Sequence, residues 1–250
     1  MGTPKVEKHG WSPLTLHFRQ RYTRGHRYLD NCGAFILDCE DILELIPSEM
    51  KVTGATMEKP EICVTVTVDN TELKVIQENP PEDGAEFLEV CTELSRLVQK
   101  HFPPALVYSN GFAWRDCRGF HTEKDVKEAS LRFSEPQQAE CAKTIGMVPS
   151  HTHVHHVFAL GSKELTMQIA PITFGSTTVQ RQNPSLGASV HERKIVERRN
   201  RRAEAVQQPP PYGLSLYTDL VEQNPPVGSE QELMAEMLGF RNSLREEFAI

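Results

Sequence analysis

Three histidines at alternate positions, His151, His153 and His155, form the most conspicuous chemistry-bearing group in the chain. From Thr152 to Leu160 the even positions are Thr152, Val154, His156, Phe158 and Leu160, and the odd ones carry the histidines. Alternation of this kind marks a strand with one apolar and one polar face. The three odd histidines then stand in a row on the polar face, with about 6.6 Å between neighbours along the strand. Neutral imidazoles bind zinc, nickel or copper. At that spacing they share a metal only with adjustment or with help from elsewhere.

A second group is basic. Arg193, Lys194, Arg198, Arg199, Arg201 and Arg202 crowd one segment. In a helix, Arg198, Arg201 and Arg202 share a face and make a ridge that can follow phosphates. The segment holds no aromatic residue on which a base would stack. Glu192, Glu197 and Glu204 interleave with the arginines, so a solvated, internally paired helix is the plainer reading. Residues 190–206 fit an exposed helix or a charged strand, and the pattern leaves that open.

Other chemistry is thin. Asp116-Cys117 with His121 nearby is a loose cysteine–histidine pairing, and adjacency in sequence is not catalytic geometry. His151 to His156 is similar to the H-x-H-x-D-H motif of metallo-β-lactamase-like hydrolases. Here His155 occupies the place of the aspartate, and His191 is the one later histidine. Nucleotide-binding glycine loops, a serine nucleophile elbow and H-E-x-x-H are all missing from the sequence. No catalytic residues are assigned.

The elements that would position these groups are more legible. Met147 to Gly175 reads as a hairpin turning at Gly161-Ser162-Lys163, with Val154, Phe158, Leu160, Leu165, Met167 and Ile169 in the core. Leu14 to Tyr22 alternates Leu14, Leu16 and Phe18 against Thr15, His17, Arg19 and Arg21, as a half-buried strand does. A strand over Ala34 to Leu37, a short helix from Asp38 to Ile46 and a hairpin over Glu61 to Gln77 follow. Phe87, Val90, Cys91, Leu94, Leu97 and Val98 make a helical stripe behind an Asp83/Glu86 capping pair. Ala105 to Arg118 reads as a strand interrupted at Asn110-Gly111. A helix begins at Ser134-Glu135-Pro136-Gln137, a strand covers Tyr212 to Leu220, and a last helix starts at a Ser229/Glu232 capping box. No repeat of fixed period stands out, although two successive hairpin-plus-helix blocks fit a pseudo-duplicated sheet. The expectation is an α+β fold, antiparallel β-sheets covered by helices on one face, as a single unit over 1–250 with a subdivision near 103–110.

Bulk properties narrow the rest. A net charge of −7 argues against coating nucleic acid by bulk electrostatics, while leaving room for a local basic patch. No apolar run reaches membrane-spanning length. The first residues lack the apolar stretch of a signal peptide, so a cytoplasmic protein without membrane association is expected. Cys32, Cys39, Cys63, Cys91, Cys117 and Cys141 are scattered and are read as reduced, structural thiols.

LTLHFRQRY, FLEVCTELSRLVQKHF, the acid-ended strand LSLYTDL and the terminal ELMAEMLGFRNSLREEFAI together resemble a sporadically distributed bacterial family of uncharacterised proteins of similar length. YSNGFAWRDCRGF departs from that family's usual strand after the central helix. The resemblance implies a setting in bacterial antiviral defence or mobile elements, and no catalytic residues. The resulting expectation is a non-enzymatic interaction protein, an accessory subunit or regulator, with another protein as partner and no cofactor. One alternative is nucleic-acid binding through 193–202. The other is a metal-dependent enzyme at the 151–156 histidine row.

Overall fold

Strands that alternate apolar and polar residues pair side by side, and among the described residues nine of them join in a single sheet. The computed structural model describes residues 10–23, 28–51, 53–102, 106–133, 153–173, 196 and 211–248. In chain order these form β1 (Ser12–Tyr22), α1 (Tyr28–Leu43), β2 (Ile46–Lys51), β3 (Gly54–Lys59), β4 (Val64–Asp69), β5 (Glu72–Glu78) and α2 (Ala85–His101). There follow β6 (Val107–Phe120), α3 (Glu123–Leu131), β7 (Val154–Leu160), β8 (Lys163–Thr173), β9 (Tyr212–Gln223) and α4 (Glu230–Glu247). The sheet order is β2-β3-β4-β5-β1-β6-β9-β8-β7, antiparallel throughout. The fold is α+β.

The helices collect on one face. Leu16, Phe18 and Tyr22 of β1 and Phe112 and Trp114 of β6 are buried there. They join a large core with Phe87, Val90, Leu94 and Val98 of α2 and Leu233, Met234 and Met237 of α4. A smaller cluster gathers Trp11, Met167, Ile169, Leu214 and Leu216 with Phe133 and Phe248.

Several local expectations change. The segment read as a strand at Ala34–Leu37 with a helix over Asp38–Ile46 is the one helix α1. Phe35, Ile36, Cys39 and Leu43 are buried along it, at i, i+1, i+4 and i+8. Ile46 and Pro47 belong instead to β2. Asn110-Gly111 does not interrupt β6, because both residues are paired in register on two sides, to β1 and to β9. A central position outweighs the local turn preference. Of the expected hairpin core, Leu165, Met167 and Ile169 are buried, but Phe158 and Leu160 are 45% and 42% exposed. β7 is one edge of the sheet, and the helices nearest to it, α3 and α4, pack on β6, β8 and β9. The helix expected from Ser134 lies outside the described residues.

Neither helix completes the capping box read from its sequence, although Asp83 Oδ1 accepts from Ala85 N at 3.3 Å at the start of α2. α2 is capped by Gly84 at φ +59, and the Ser229 side chain makes no cap hydrogen bond at α4. Both are entered through matching backbone hydrogen bonds, although the caps differ, Ser229 taking φ −76. Asn79 and Asn224 take φ +50 and +51, and their amides donate to Leu14 and Tyr108 carbonyls at 2.9 and 2.8 Å. Next, Gly84 N donates to Pro81 O at 3.2 Å, and Ser229 N to Pro226 O at 3.3 Å. The sequence carries this repeat as Asn79-Pro80-Pro81 and Asn224-Pro225-Pro226, at no fixed period because the segments that lead up to the two motifs differ in length.

These equivalences place Phe112 where Phe18 stands. The two residues pair across β1 and β6, with ring centroids 4.8 Å apart. A local two-fold axis therefore passes through that pair, relating β1–α2 to β6–α4. First and last strands of each half are neighbours: β1 with β5, β6 with β9.

Gly84 is irreplaceable for two reasons. Its φ is left-handed, and an added Cβ would lie 2.6 Å from Met234 Cε, 3.1 Å from Leu16 Cδ2 and 3.3 Å from Trp114 Cζ3. Gly84→Ala should lower stability by roughly 2–4 kcal/mol, as the cost of αL backbone and of overpacking combine. Gly33→Ala, in open space within α1, should raise it by about 0.5–1 kcal/mol. Urea unfolding midpoints of the two variants check both signs.

Candidate functional site

The strand period that buries Leu16, Phe18 and Gln20 turns Thr15, His17 and Arg19 to the opposite face. Among the described residues no helix covers that face, and its large side chains are all at least partly exposed. Small ones are buried in the middle of it: Gly111 and Ala113 on β6, Ser215 on β9.

Register assembles the site. One row across the sheet runs Lys74–Arg19–Gly111, the next Ile76–His17–Ala113–Asp219, the third Thr15–Arg115–Tyr217–Gln168–His155. His17 and Arg19 have Gly111 and Ala113 as their equivalents about the local axis. Where one half projects two large side chains the other projects almost nothing. The space left is a cleft of about 220 Å³, lined by His17, Phe18, Arg19, Lys74, Gly111, Ala113, Tyr217 and Asp219. It sits on the axis.

Its electrostatics follow from partial burial among cations. His17 is driven down to about 4, first by burial and then by Lys74, Arg115 and Arg19. It is neutral at pH 7, with Nε2 3.1 Å from Thr15 Oγ1. Burial raises the Asp219 carboxyl, opposed by a hydrogen bond from Tyr217 and the charge of Arg19 and reinforced by Glu164. The Tyr217 hydroxyl donates to Asp219 Oδ2 at 3.1 Å and is itself pushed up to about 12 by burial and then by Asp219. The Arg115 guanidinium lies over the Tyr217 ring, 5.4 Å from its centre. Arg19 comes only within 4.0 Å of Glu72, which Arg21 engages at 3.2 Å.

His17 has a consequence for pH. Its folded pKa is below the ordinary 6.5, so the unfolded chain takes up the proton first as pH falls. The stability at stake is present above about pH 6.5 and is lost progressively toward about 4. Asp219 works the other way, being favoured in its protonated form. His17→Gln should therefore show a smaller loss of denaturation midpoint between pH 7.0 and 5.0 than the wild type, and an equal or larger loss would refute this.

The groups singled out from sequence fare unevenly. His153 and His155 are exposed, and His155 shares the open face with the cleft, two strands beyond Tyr217. His151 lies outside the described residues, as do Arg193, Lys194, Arg198, Arg199, Arg201 and Arg202. Among the described residues no three His, Cys, Asp or Glu side chains are grouped to hold a metal. Asp116 and Cys117 point to opposite faces. Asp116 is spent in a buried ion pair with Arg241, and burial pushes the Cys117 thiol up to about 12. The described cysteines are free thiols, and burial raises Cys39 and Cys91 as well.

No protein-family model matches the chain, and no curated protein is similar to it. Among the described residues no helix is long and apolar enough to cross a membrane.

Proposed function

We propose that this is a non-enzymatic interaction protein that receives an acidic protein partner on the open face of its sheet. The observation that carries the reading is the axial cleft, with Arg19, Lys74 and Arg115 around it. Lys74 and Arg115 have no carboxylate within ion-pair distance among the described residues. A merely solvated sheet face does not need to bury His17 and Asp219 partly among charged neighbours, and titratable groups perturbed in this way in a cleft mark functional sites. Catalysis is the weaker reading, because a general acid or base works best with a pKa near the operating pH. His17 at about 4, Tyr217 at about 12 and Cys117 at about 12 stand far from it. In the setting the resemblance implies, the protein would serve as an accessory subunit or regulator in a bacterial defence or mobile-element system.

Affinity capture of the full chain from its native cells tests this. One protein should be retained in stoichiometric amount by wild type and by Leu37→Ser, whose side chain is exposed on α1. It should be lost from a folded Lys74→Glu/Arg115→Glu variant. Retention by the charge-reversed variant overturns the reading. So does capture of nucleic acid that is lost on Arg198→Ala/Arg202→Ala.

A further inference from the structure

We infer that the axial cleft seats a side-chain or terminal carboxylate from an acidic segment of the partner, held between Arg19 and Lys74 and sharing a proton with Asp219. This deepens the proposed function and rests on it.

Size comes first. About 220 Å³ is small beside the roughly 300–1,000 Å³ of pockets that enclose drug-sized ligands, whereas one water occupies about 30 Å³. The cleft suits a carboxymethyl or carboxyethyl group with a few waters, and it is too small for a nucleotide. Its shape has a structural origin: Gly111 and Ala113 leave open what His17 and Arg19 fill on the other side of the axis.

Charge gives the chemistry. Arg19 and Lys74 are directly opposite each other on β1 and β5, forming a cationic wall. Facing them on β9 are Tyr217 and Asp219, the latter with one oxygen already accepting from the tyrosine. A carboxylate entering this space meets two cations and one carboxyl. Two carboxylates at contact cannot both remain ionised, so one proton is taken from solvent and held between them. Asp219 is prepared for that. Burial already disfavours its anion, and Glu164 on β8 adds to the effect. Around it, Arg19 and His17 on β1, Lys74 on β5, Arg115 on β6 and Tyr217 on β9 complete the charged and titratable set. His17 is neutral across the physiological range and leaves the balance to Asp219. A phosphate dianion would place more negative charge against Asp219. A nucleic-acid base would find Tyr217 already stacked under Arg115. Beyond the cleft the face continues through exposed Arg115 and Thr67, where residues flanking the anchored acid would lie.

The test uses a fluorescent hexaglutamate peptide, read by anisotropy at constant ionic strength between pH 8.0 and 5.5. Binding should strengthen as pH falls. Arg19→Ala/Lys74→Ala should weaken it roughly tenfold or more, as loss of charge-assisted hydrogen bonds does. Asp219→Asn should bind at pH 8.0 as tightly as wild type does at pH 5.5, with the pH dependence flattened. Unchanged binding by the alanine pair, or an intact pH dependence in Asp219→Asn, overturns the inference. Glutarate binding without peptide binding assigns the cleft to a free small acid. Binding of a single-stranded oligonucleotide alone assigns it to nucleic acid, and either result also overturns the inference. If partner capture is lost on charge reversal while Asp219→Asn changes nothing, the open face stands as the interaction surface and only the shared proton falls.

Discussion

Arg241→Met should cost about 3–5 kcal/mol, because it leaves a carboxylate with no access to water and no counterion. Asp116 is 0% exposed and the Arg241 side chain 1%. The pair is bidentate, with Arg241 Nη2 donating to Asp116 Oδ1 at 2.6 Å and Nε to Oδ2 at 2.9 Å. The guanidinium also lies 3.9 Å from the centre of the Trp114 ring and 2.8 Å from Glu82 Oε2. Arg245, one turn on, donates to Glu82 Oε2 at 2.7 Å and to the Trp11 carbonyl. These contacts tie α4 to β6, to the start of β1 and to the loop before α2. Asp116→Leu with Arg241→Met together should recover most of the loss, since replacing both partners by apolar groups removes the desolvation penalty along with the attraction. Denaturant midpoints of the three proteins decide it. A double variant as unstable as the single one would mean that geometry, and not the uncompensated charge, dominates.

Phe112→Ala should be nearly as damaging, at about 3–5 kcal/mol for a buried phenylalanine. Phe112 is fully buried, 4.8 Å from the Phe18 ring and 6.5 Å from that of Phe87 on α2. It lies at the junction of the two halves, in the cluster that draws residues from both. The thermal transition should fall by roughly 6–20 °C, at about 2–4 °C per kcal/mol for a chain of this size, and remain single. Two resolved transitions would show that the halves unfold separately. Phe158→Ala, at the exposed edge, should stay within about 0.5 kcal/mol of wild type, as surface substitutions do. The contrast between two phenylalanines in strands separates local pattern from place in the sheet.

That contrast marks the boundary between sequence and structure more generally. Period two in LTLHFRQRY and LSLYTDL already separates the polar set His17, Arg19, Tyr217 and Asp219 from the apolar one. The stripe from Phe87 to Val98 already announces α2. Such patterns are local, since each residue's face depends only on its neighbours along the chain. Helix α1 misleads because Ala34 to Leu37 is a short apolar run, which suits a strand or a buried helix equally.

The α+β class, most strands and the helices α2 and α4 were thus determined by the sequence itself, and so was the side of each strand on which the cleft's charged residues lie. Tertiary structure alone decided that β1 pairs with β6, which brings Arg19 opposite Gly111 and His17 opposite Ala113. It alone made Asp116 a structural anion and left Phe158 at an open edge. Pairing between strands far apart in the chain is set by the global packing of the apolar faces, and no local pattern records which strand will be the neighbour.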